Sequence, residues 1–231
     1  MAAMTLSNQV TTPEAVEDYG NSPVSTSEFT AAERDVMKKI LYAVETGGQV
    51  YGQQDYADFT EAHTNSSIEN AITIGAGQWY ATEAQRLLKV IHQKMGDAEW
   101  KKYDTSNKLW KDVCNEDWSE YKKTTYKNII VKIISSEIGI KCQDQLMYEQ
   151  ITEYEKEIRN LGVKDVQAVG MFINIRHQGG YGAVTRVLKK TSKPVNLINV
   201  YTALASDTGN QVGTYKTRQA MVYQWLLTYM K

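Results

Sequence analysis

The chain has 231 residues, of which 42% are hydrophobic and 23% are charged. This composition is typical of a globular protein and excludes a fibrous or wholly disordered chain. Lys and Arg total 26 and Asp and Glu total 27, so the formal net charge is -1 and we expect no nucleic-acid partner. No apolar stretch approaches the ~20 residues that a membrane span needs, so we expect no stable membrane insertion.

Residues 1–27 are rich in Ser, Thr, Asn and small side chains, and they have neither a helical nor a strand period. This pattern predicts a flexible N-terminal arm. Because the arm lacks a basic start followed by an apolar run, we do not expect it to act as a secretory signal.

The first predicted helix follows this arm. Thr30 and Glu33 have the spacing of a capping box, in which each side chain accepts a hydrogen bond from the backbone amide of the other residue. The apolar residues beyond them fall on one helical face: Val36, Met37, Ile40, Leu41 and Val44. We expect the helix to end at Gly47-Gly48, because glycine accepts the left-handed conformation that often follows a helix.

The pattern changes between residues 49 and 77. This segment contains several glycines, the turn-forming Asn65-Ser66-Ser67 and one strand-like run at residues 71–74. It predicts an irregular loop with a small β-hairpin. Segments of this length without regular structure are uncommon in compact domains and are often functional.

Helical periodicity returns after Ala81. Four apolar stripes mark it: Ala84, Leu87, Leu88 and Ile91; Ile130, Ile134 and Ile138; Val166, Val169, Gly170 and Ile173; and Val222, Trp225, Leu226 and Tyr229. Gly179-Gly180 and Gly209 separate helices. The sequence therefore predicts an α+β, mainly α-helical fold. One domain covers residues 28–231, with a small β-hairpin region between the first helix and a helical body.

Glu45 is the first candidate for chemistry. It lies four residues after Leu41, at the edge of the apolar face and at the C-terminal end of the helix. Partial burial and the negative end of the helix dipole both disfavour a charged carboxylate there, which suits a general acid. The following loop offers four candidates for a second carboxylate: Asp55, Asp58, Glu61 and Glu69. An uncharged acid beside a charged base is the general arrangement for cleaving a glycosidic bond.

A helix ending in Glu, a glycine-rich loop and a short strand reading Thr73-Ile-Gly-Ala-Gly-Gln78 resemble the lysozyme-like superfamily. The longer match is to phage peptidoglycan hydrolases, which also resemble chitosanases. It includes Gly48-Gln-Val-Tyr-Gly52, Asn65-Ser66, Glu69, Gln78, Tyr80, Gly179-Gly180, Val212-Gly-Thr-Tyr215, Arg218 and Val222-Tyr-Gln-Trp-Leu226. The resemblance covers most of residues 30–231 and implies a lysozyme-like catalytic domain with a small β-hairpin region.

The resemblance also implies roles for single residues. Glu45 matches the catalytic acid of the family. The second acid of the family sits a few residues before the Thr-Ile-Gly turn, and Glu69 lies nearest to that position, where the family usually has Asp. Asp58 is the second choice for this role and Asp55 is the third. Thr73 matches the residue that positions the attacking water.

Several side chains are candidates for binding sugar. Aromatic faces can stack on the apolar faces of sugar rings, as they pack on other flat groups. The candidates for substrate binding are Tyr51, Tyr56, Gln78, Trp79 and Tyr80, together with His177, which would line the cleft opposite Glu45. Ordinary packing is the competing interpretation for the four aromatic residues, and a plain helix C-cap is the favoured interpretation of the segment around His177. Trp100, Trp110 and Trp118 are expected to anchor the core.

The sequence predicts no cofactor and no metal site. The three histidines are widely spaced, and none has the four-residue spacing of a helical metal pair. Gly75-Ala-Gly77 lacks the third glycine and the strand–helix–strand context of a dinucleotide site. Cys114 and Cys142 favour two reduced thiols, with a disulfide between them as the alternative.

The resemblance implies a muramidase-type endolysin or a virion-associated lysin, a glycoside hydrolase that cleaves the β-1,4 backbone of peptidoglycan glycan strands. A lytic transglycosylase and a chitosanase are alternatives within the enzymes. A non-enzymatic wall-binding module or phage tail component is the alternative from another class. The implied location is the host cytoplasm before release and then the bacterial cell wall, or the virion, and a separate wall-binding domain or subunit could supply targeting.

Overall fold

The structure is a computed structural model, and it describes residues 28–46, 50–208 and 211–231. The predicted arm at residues 1–27, the predicted helix end at Gly47-Gly48 and the separator at Gly209 lie outside the described residues. The described chain is mainly helical and contains a small three-stranded antiparallel sheet. The prediction of a mainly α-helical α+β fold is therefore confirmed.

The regular elements follow one another in a simple order. The strands are β1 (Phe59–Thr60), β2 (Thr73–Ile74) and β3 (Trp79–Tyr80). The α-helices are α1 (Ala31–Glu45), α2 (Thr82–Met95), α3 (Asp97–Trp100), α4 (Lys108–Asn115), α5 (Lys127–Ile134), α6 (Glu137–Asn160), α7 (Val166–Lys190), α8 (Leu197–Ala205) and α9 (Lys216–Tyr229). Two short 3-10 helices cover Trp118–Glu120 and Val212–Thr214.

The described residues divide into two compact units. The first unit consists of residues 45–147, and the second consists of residues 28–44 and 148–231. The division falls at the last residue of α1 and within α6. The prediction of one domain over residues 28–231 stays a prediction.

The first unit contains the sheet and helices α2 to α5. The strands are ordered β1-β2-β3, and Thr73 of β2 lies opposite Thr60 of β1 and Tyr80 of β3. Helix α2 packs against β3, α3, α4 and α5. Its predicted apolar stripe is completely buried, because the spacing of these residues places them on one face: Ala84, Leu87, Leu88 and Ile91.

The second unit is built on α1 up to Val44, the C-terminal part of α6 and helices α7 to α9. Helix α1 begins with the predicted capping box. The amide of Thr30 donates to the Glu33 carboxylate at 2.6 Å, and the amide of Glu33 donates to the Thr30 hydroxyl at 3.2 Å. These two bonds satisfy amides that the helix cannot satisfy itself, so they fix where α1 starts.

The predicted stripe of Ile130, Ile134 and Ile138 belongs to two helices. Helix α5 ends at Ile134 and α6 begins at Glu137. The Ser136 hydroxyl donates to the Ile133 carbonyl at 2.7 Å and accepts from the Gly139 amide at 3.0 Å. A serine that bonds backbone groups in this way stabilises a turn, and apolar spacing does not reveal it.

Helix α7 changes direction at Gly180. This residue has φ 72° and ψ -178°, and the chain continues helically to Lys190. Only glycine adopts this conformation readily. The glycine pair therefore separates two helical segments, as predicted. The favoured interpretation of a plain helix C-cap after His177 is wrong, because the chain kinks at Gly180 and continues as a helix. In the described part of the chain, no helix combines the length and apolarity required to cross a membrane.

Candidate functional site

Glu45 is the last residue of α1 and belongs to the first unit. Its side chain is 2% exposed, and both carboxylate oxygens are buried. The predicted position at the edge of an apolar face is consistent with this burial, because the preceding residues Leu41 and Tyr42 are also buried. A carboxyl group in such a site is shielded from bulk water.

Asp58 lies directly before β1 and has a different environment. Its side chain is half-buried, and one carboxylate oxygen, Oδ2, accepts hydrogen bonds from two side chains. The Gln78 amide donates to it at 2.7 Å, and the Thr60 hydroxyl donates to it at 3.1 Å. The Asp58 carbonyl also accepts from the Gly75 amide at 2.9 Å. Both the backbone and the side chain of Asp58 are therefore held by the sheet region.

Gln78 closes the turn between β2 and β3. Its amide donates to the Gly75 carbonyl at 3.0 Å, and its side-chain nitrogen lies 3.3 Å from the same carbonyl. Gly75 and Gln78 both have positive φ, at 74° and 52°. Gln78 is predicted to bind substrate, but it is only 5% exposed. Its side-chain amide is already hydrogen-bonded to the Asp58 carboxylate and to the Gly75 carbonyl.

Thr73 and Tyr80 lie opposite each other in the sheet. Thr73 is 1% exposed. Tyr80 is half-buried, and its hydroxyl accepts a hydrogen bond from the Asn70 amide at 2.8 Å. The sheet thus gives both predicted site residues fixed positions on neighbouring strands.

Glu69 lies four residues before Thr73, in the loop that enters β2, and it is 6% exposed. Burial raises the pKa of its carboxyl group. Among the described residues, no side chain donates a hydrogen bond to this carboxylate or pairs with it. The two carboxylates therefore have different environments. Within the described ranges, Glu69 is buried and has no side-chain donor, whereas Asp58 is half-buried and accepts hydrogen bonds from two side chains.

The other two acidic candidates are engaged on the surface. Asp55 is exposed, and its carboxylate accepts from the Ala57 amide at 3.0 Å, which stabilises the turn before Asp58. The Glu61 carboxylate is 52% exposed and lies 3.4 Å from the Lys127 ammonium. These contacts give both residues local structural roles.

Two of the predicted aromatic sugar-binding residues take part in packing or hydrogen bonding. Trp79 is 2% exposed, and its indole covers Gly77 so closely that a Cβ on that glycine would lie 2.7 Å from the ring. The Tyr56 hydroxyl donates to Asp144 at 2.8 Å. Tyr51, Tyr56 and Tyr80 are half-buried, so part of each side chain is accessible to a ligand. Trp79 has almost no accessible surface.

His177 belongs to the second unit, on α7 before the kink at Gly180. Its side chain is 8% exposed, and its ring centroid lies 6.4 Å from that of Tyr154. The Tyr154 ring also lies under the Arg176 guanidinium, 4.6 Å from ring centroid to Cζ. The predicted place of His177 opposite Glu45 stays a prediction.

The three tryptophans that were expected to anchor the core do not all have the same burial. Trp100 and Trp118 are completely buried, and Trp110 is half-buried. The Trp110 ring stacks on His92 with 3.5 Å between ring centroids. Burial lowers the pKa of His92, since the charged imidazolium loses water contact there.

Gln143 is a residue that the sequence analysis missed. It is 0% exposed on α6, and its side chain makes three hydrogen bonds to backbone groups. It accepts from the Ala76 amide at 2.9 Å and donates to the Tyr56 carbonyl at 3.0 Å and the Ile134 carbonyl at 2.9 Å. One feature of the sequence could have identified Gln143. It precedes Leu146 and Met147 by three and four residues, so it is a polar residue on an apolar face of a helix.

No group of three or more His, Cys, Asp or Glu side chains in the described ranges could hold a metal ion. Cys114 is exposed and Cys142 is buried, and both are free thiols, as the favoured interpretation expected. Burial raises the pKa of the Cys142 thiol.

The second unit contains a surface cavity of about 210 Å³, lined by Glu28, Thr152, Glu155, Lys156, Arg159 and Asn160. The Glu155 carboxylate in it accepts from the Phe29 amide at 2.6 Å and from Arg159 at 2.8 Å. None of the predicted site residues lines this cavity. The Glu28 carboxylate also pairs with Arg34, at 3.4 Å, so both acids of the cavity are engaged in structural contacts and the cavity supports no catalytic role.

Comparison of the chain with models of protein families, with curated proteins and with solved structures found no match.

Proposed function

We propose that the chain is a lysozyme-like glycoside hydrolase that cleaves the β-1,4 glycan backbone of bacterial peptidoglycan. The observation that carries the proposal is the presence, in one unit, of two carboxyl groups with contrasting environments. Glu45 is buried at the end of a helix, and Asp58 is half-buried and accepts two side-chain hydrogen bonds. Acid–base cleavage of a glycosidic bond uses two carboxyl groups in two different roles, and a pair of carboxyl groups in different environments suits that division.

In this proposal Glu45 protonates the glycosidic oxygen as the bond to the anomeric carbon breaks. The sugar then carries the positive charge of an oxocarbenium-like transition state. Water then adds to the anomeric carbon. Its proton goes to the second carboxylate or, if that carboxylate only stabilises the positive charge, back to the deprotonated Glu45. Thr73, fixed on the central strand, is the proposed partner of that water.

Asp58 suits the second role better than Glu69 does. A base must be ionised, and burial raises the pKa of Glu69, which works against ionisation. Asp58 has two side-chain donors aimed at one oxygen, and these bonds hold the carboxylate in one orientation. The order of the two candidates that the resemblance suggests is therefore reversed in this proposal.

The proposed substrate and location follow from the same resemblance. The half-buried tyrosines Tyr51, Tyr56 and Tyr80 are the proposed surfaces for sugar rings, and Trp79 supports the turn from beneath. Peptidoglycan glycan strands are the proposed partner, with targeting supplied by a wall-binding domain or subunit. The proposed site of action is the bacterial wall, reached from the host cytoplasm after release or from the virion.

The experiment compares the wild-type chain with Glu45→Gln on purified peptidoglycan, with soluble products analysed by mass spectrometry. Glutamine keeps the size of the side chain but cannot donate the proton. Glu137→Gln is the matched control, because Glu137 also lies at a helix end but is 82% exposed and pairs with Lys141. We expect reducing-end muramic products from the wild type and the control, and none from Glu45→Gln.

Other outcomes separate the alternatives. Anhydro-muramic products would assign the chain to the lytic transglycosylases, and cleavage of chitosan alone would assign it to the chitosanases. If peptidoglycan from several bacteria and chitosan all stay intact with the wild type, the proposal is wrong. Binding without cleavage would then favour a wall-recognition module.

A further inference from the structure

The Gln78–Asp58 hydrogen bond joins two loop segments that are distant in the sequence. Asp58 ends the loop before β1, and Gln78 ends the turn before β3. The two segments flank the paired strands β1 and β2, and the Gly75 amide donates to the Asp58 carbonyl at 2.9 Å beside the last strand pair. The Gln78 side-chain amide adds a second link between the segments, 2.7 Å from the Asp58 carboxylate.

Gln143 contacts both segments at once. Its side-chain nitrogen donates to the Tyr56 carbonyl, two residues before Asp58, and its oxygen accepts from the Ala76 amide, two residues before Gln78. The same nitrogen also donates to the Ile134 carbonyl at the end of α5. One amide group therefore links both partners of the Gln78–Asp58 bond to the helical part of the unit.

The close approach of Gln143 to the turn also depends on Gly75. A Cβ at this position would lie 2.5 Å from the Gln143 side-chain oxygen, and Gly75 has φ 74°. The Gly75 amide in turn donates to the Asp58 carbonyl at 2.9 Å. The turn, the Asp58 backbone and the Gln143 amide therefore form one connected set of hydrogen bonds.

We infer that Gln143 is a positioning residue for the Asp58 carboxylate, acting through the Tyr56 carbonyl on one side and the turn at residues 75–78 on the other. Its side chain is completely buried, and its three hydrogen bonds go to backbone groups and not to the carboxylate. The role of Asp58 in catalysis rests on the proposed function, whereas the set of hydrogen bonds does not. A buried glutamine that only stabilised the fold would leave the Gln78–Asp58 bond unchanged in a variant that still folds.

The first test uses NMR of the side-chain amide of Gln78, assigned by its loss in Gln78→Met. In the wild type this signal reports the Asp58 carboxylate, so Asp58→Asn must displace it. We expect Gln143→Met, which keeps the length and removes all three bonds, to move the Gln78 signal towards its position in Asp58→Asn. Gln143→Asn keeps the amide but shortens the side chain by one methylene, and it carries the test if the Met variant does not fold.

The matched control is Gln167→Met in the second unit. Gln167 also donates two hydrogen bonds to backbone carbonyls, those of Leu226 and Met230. We expect this variant to lower stability and to leave the Gln78 signal at its wild-type position. A folded Gln143 variant with an unmoved Gln78 signal overturns the inference, as does failure of both Gln143 variants to fold, which would assign the residue to the fold alone.

The second test measures peptidoglycan cleavage by the same variants. Misplacing a catalytic group without touching the substrate lowers kcat and leaves KM nearly unchanged. We therefore expect Gln143→Asn to lower kcat by about 10- to 100-fold with KM within about twofold, and Gln167→Met to leave both near the wild type. If the wild-type chain cleaves no substrate, the proposed function fails, and the NMR result still decides whether Gln143 positions Asp58.

Discussion

The two units differ in what fixes their side chains. In the second unit, long helices pack through apolar faces, and α7 contacts both α8 and α9. In the first unit, three strands of two residues each form the sheet, and buried polar side chains such as Gln78 and Gln143 link its loops. The proposed chemistry thus lies where hydrogen bonds, more than helix packing, determine geometry.

This difference explains why the same kind of substitution should act differently in the two units. Packed helices resist changes of volume, and their stability falls when an atom is forced into them. A loop held by a few directional bonds can keep most of its stability while its geometry shifts. We therefore expect activity to be most sensitive in the first unit and free energy of unfolding to be most sensitive in the second.

The largest expected effect is on catalysis in the first unit. Asp58→Asn should lower kcat on peptidoglycan by about 10²- to 10⁴-fold, the usual contribution of a general base, with little change in folding. Glu69→Gln should lower kcat by less than about tenfold. The measurement is the initial rate of release of reducing ends. The opposite order of the two variants would return the second acid to Glu69.

The next effect concerns packing in the second unit. A Cβ on Gly213 would overlap the backbone carbonyl oxygens of Leu204 and Asp207, so Gly213→Ala should lower the free energy of unfolding by about 2–3 kcal/mol. Gly182→Ala is the control, because no atom lies within 4 Å of that Cβ. In the control, the free energy of unfolding should rise by about 0.5–1 kcal/mol, because alanine favours the helical conformation of α7 more than glycine does. Denaturant unfolding measures the change in the free energy of unfolding for both variants. Equal changes in Gly213→Ala and Gly182→Ala would contradict close packing at Gly213.

A smaller effect concerns a buried ion pair in the second unit. Asp207 is 1% exposed, and Arg186 donates to both of its carboxylate oxygens, at 2.8 and 3.0 Å. These bonds hold the pKa of Asp207 below its usual range, despite its burial. Since the guanidinium is partly exposed, Asp207→Asn should cost about 1–2 kcal/mol at neutral pH.

The sign of the pH dependence follows from the lowered pKa of Asp207. The stabilisation is complete above the value of the unfolded chain, about 3.9, and is lost as pH falls through the lower folded value. Thermal unfolding of wild type and Asp207→Asn at pH 7 and below pH 4 should therefore show a difference in Tm that shrinks in acid. A difference that is constant with pH would mean that the ion pair does not contribute.

The smallest effect is on the stability of the first unit. Burial raises the pKa of Glu69, so the folded state favours the neutral carboxyl group. The stability that the protein gains from keeping this group neutral is lost as pH rises through the pKa of the folded state. Glu69→Gln should therefore raise Tm at pH 7 by at most about 2 °C and leave it unchanged below pH 4. A lower Tm at pH 7 would show that the charged form of Glu69 has a stabilising partner.

The sequence predicted the elements whose patterns repeat along one segment. The capping box at Thr30 and Glu33 and the apolar stripe of α2 are confirmed, because both depend on neighbours within four residues. The hairpin around Thr73 was also predicted, although the third strand, β1, was not. Local spacing carries this information directly.

The candidate site was predicted less completely, because its contacts join distant parts of the sequence. Nothing near Trp79 indicates that its indole covers Gly77, and nothing near Gln143 indicates that it reaches Tyr56 and Ala76. The break between α5 and α6 depends on one serine hydroxyl within an otherwise apolar pattern. Composition and period do not encode such pairings, which only the folded chain brings together.

The bonds of Gln143 also bear on the order in which the chain folds. Its partners Ala76 and Tyr56 lie 67 and 87 residues earlier in the sequence, whereas Ile134 lies only 9 earlier. Contacts of large sequence separation require closure of a long loop and form slowly. During synthesis, the turn at residues 75–78 therefore leaves the ribosome well before the side chain that fixes it. In hydrogen exchange, the Ala76 amide should become protected in step with α6 and later than the amides within α2.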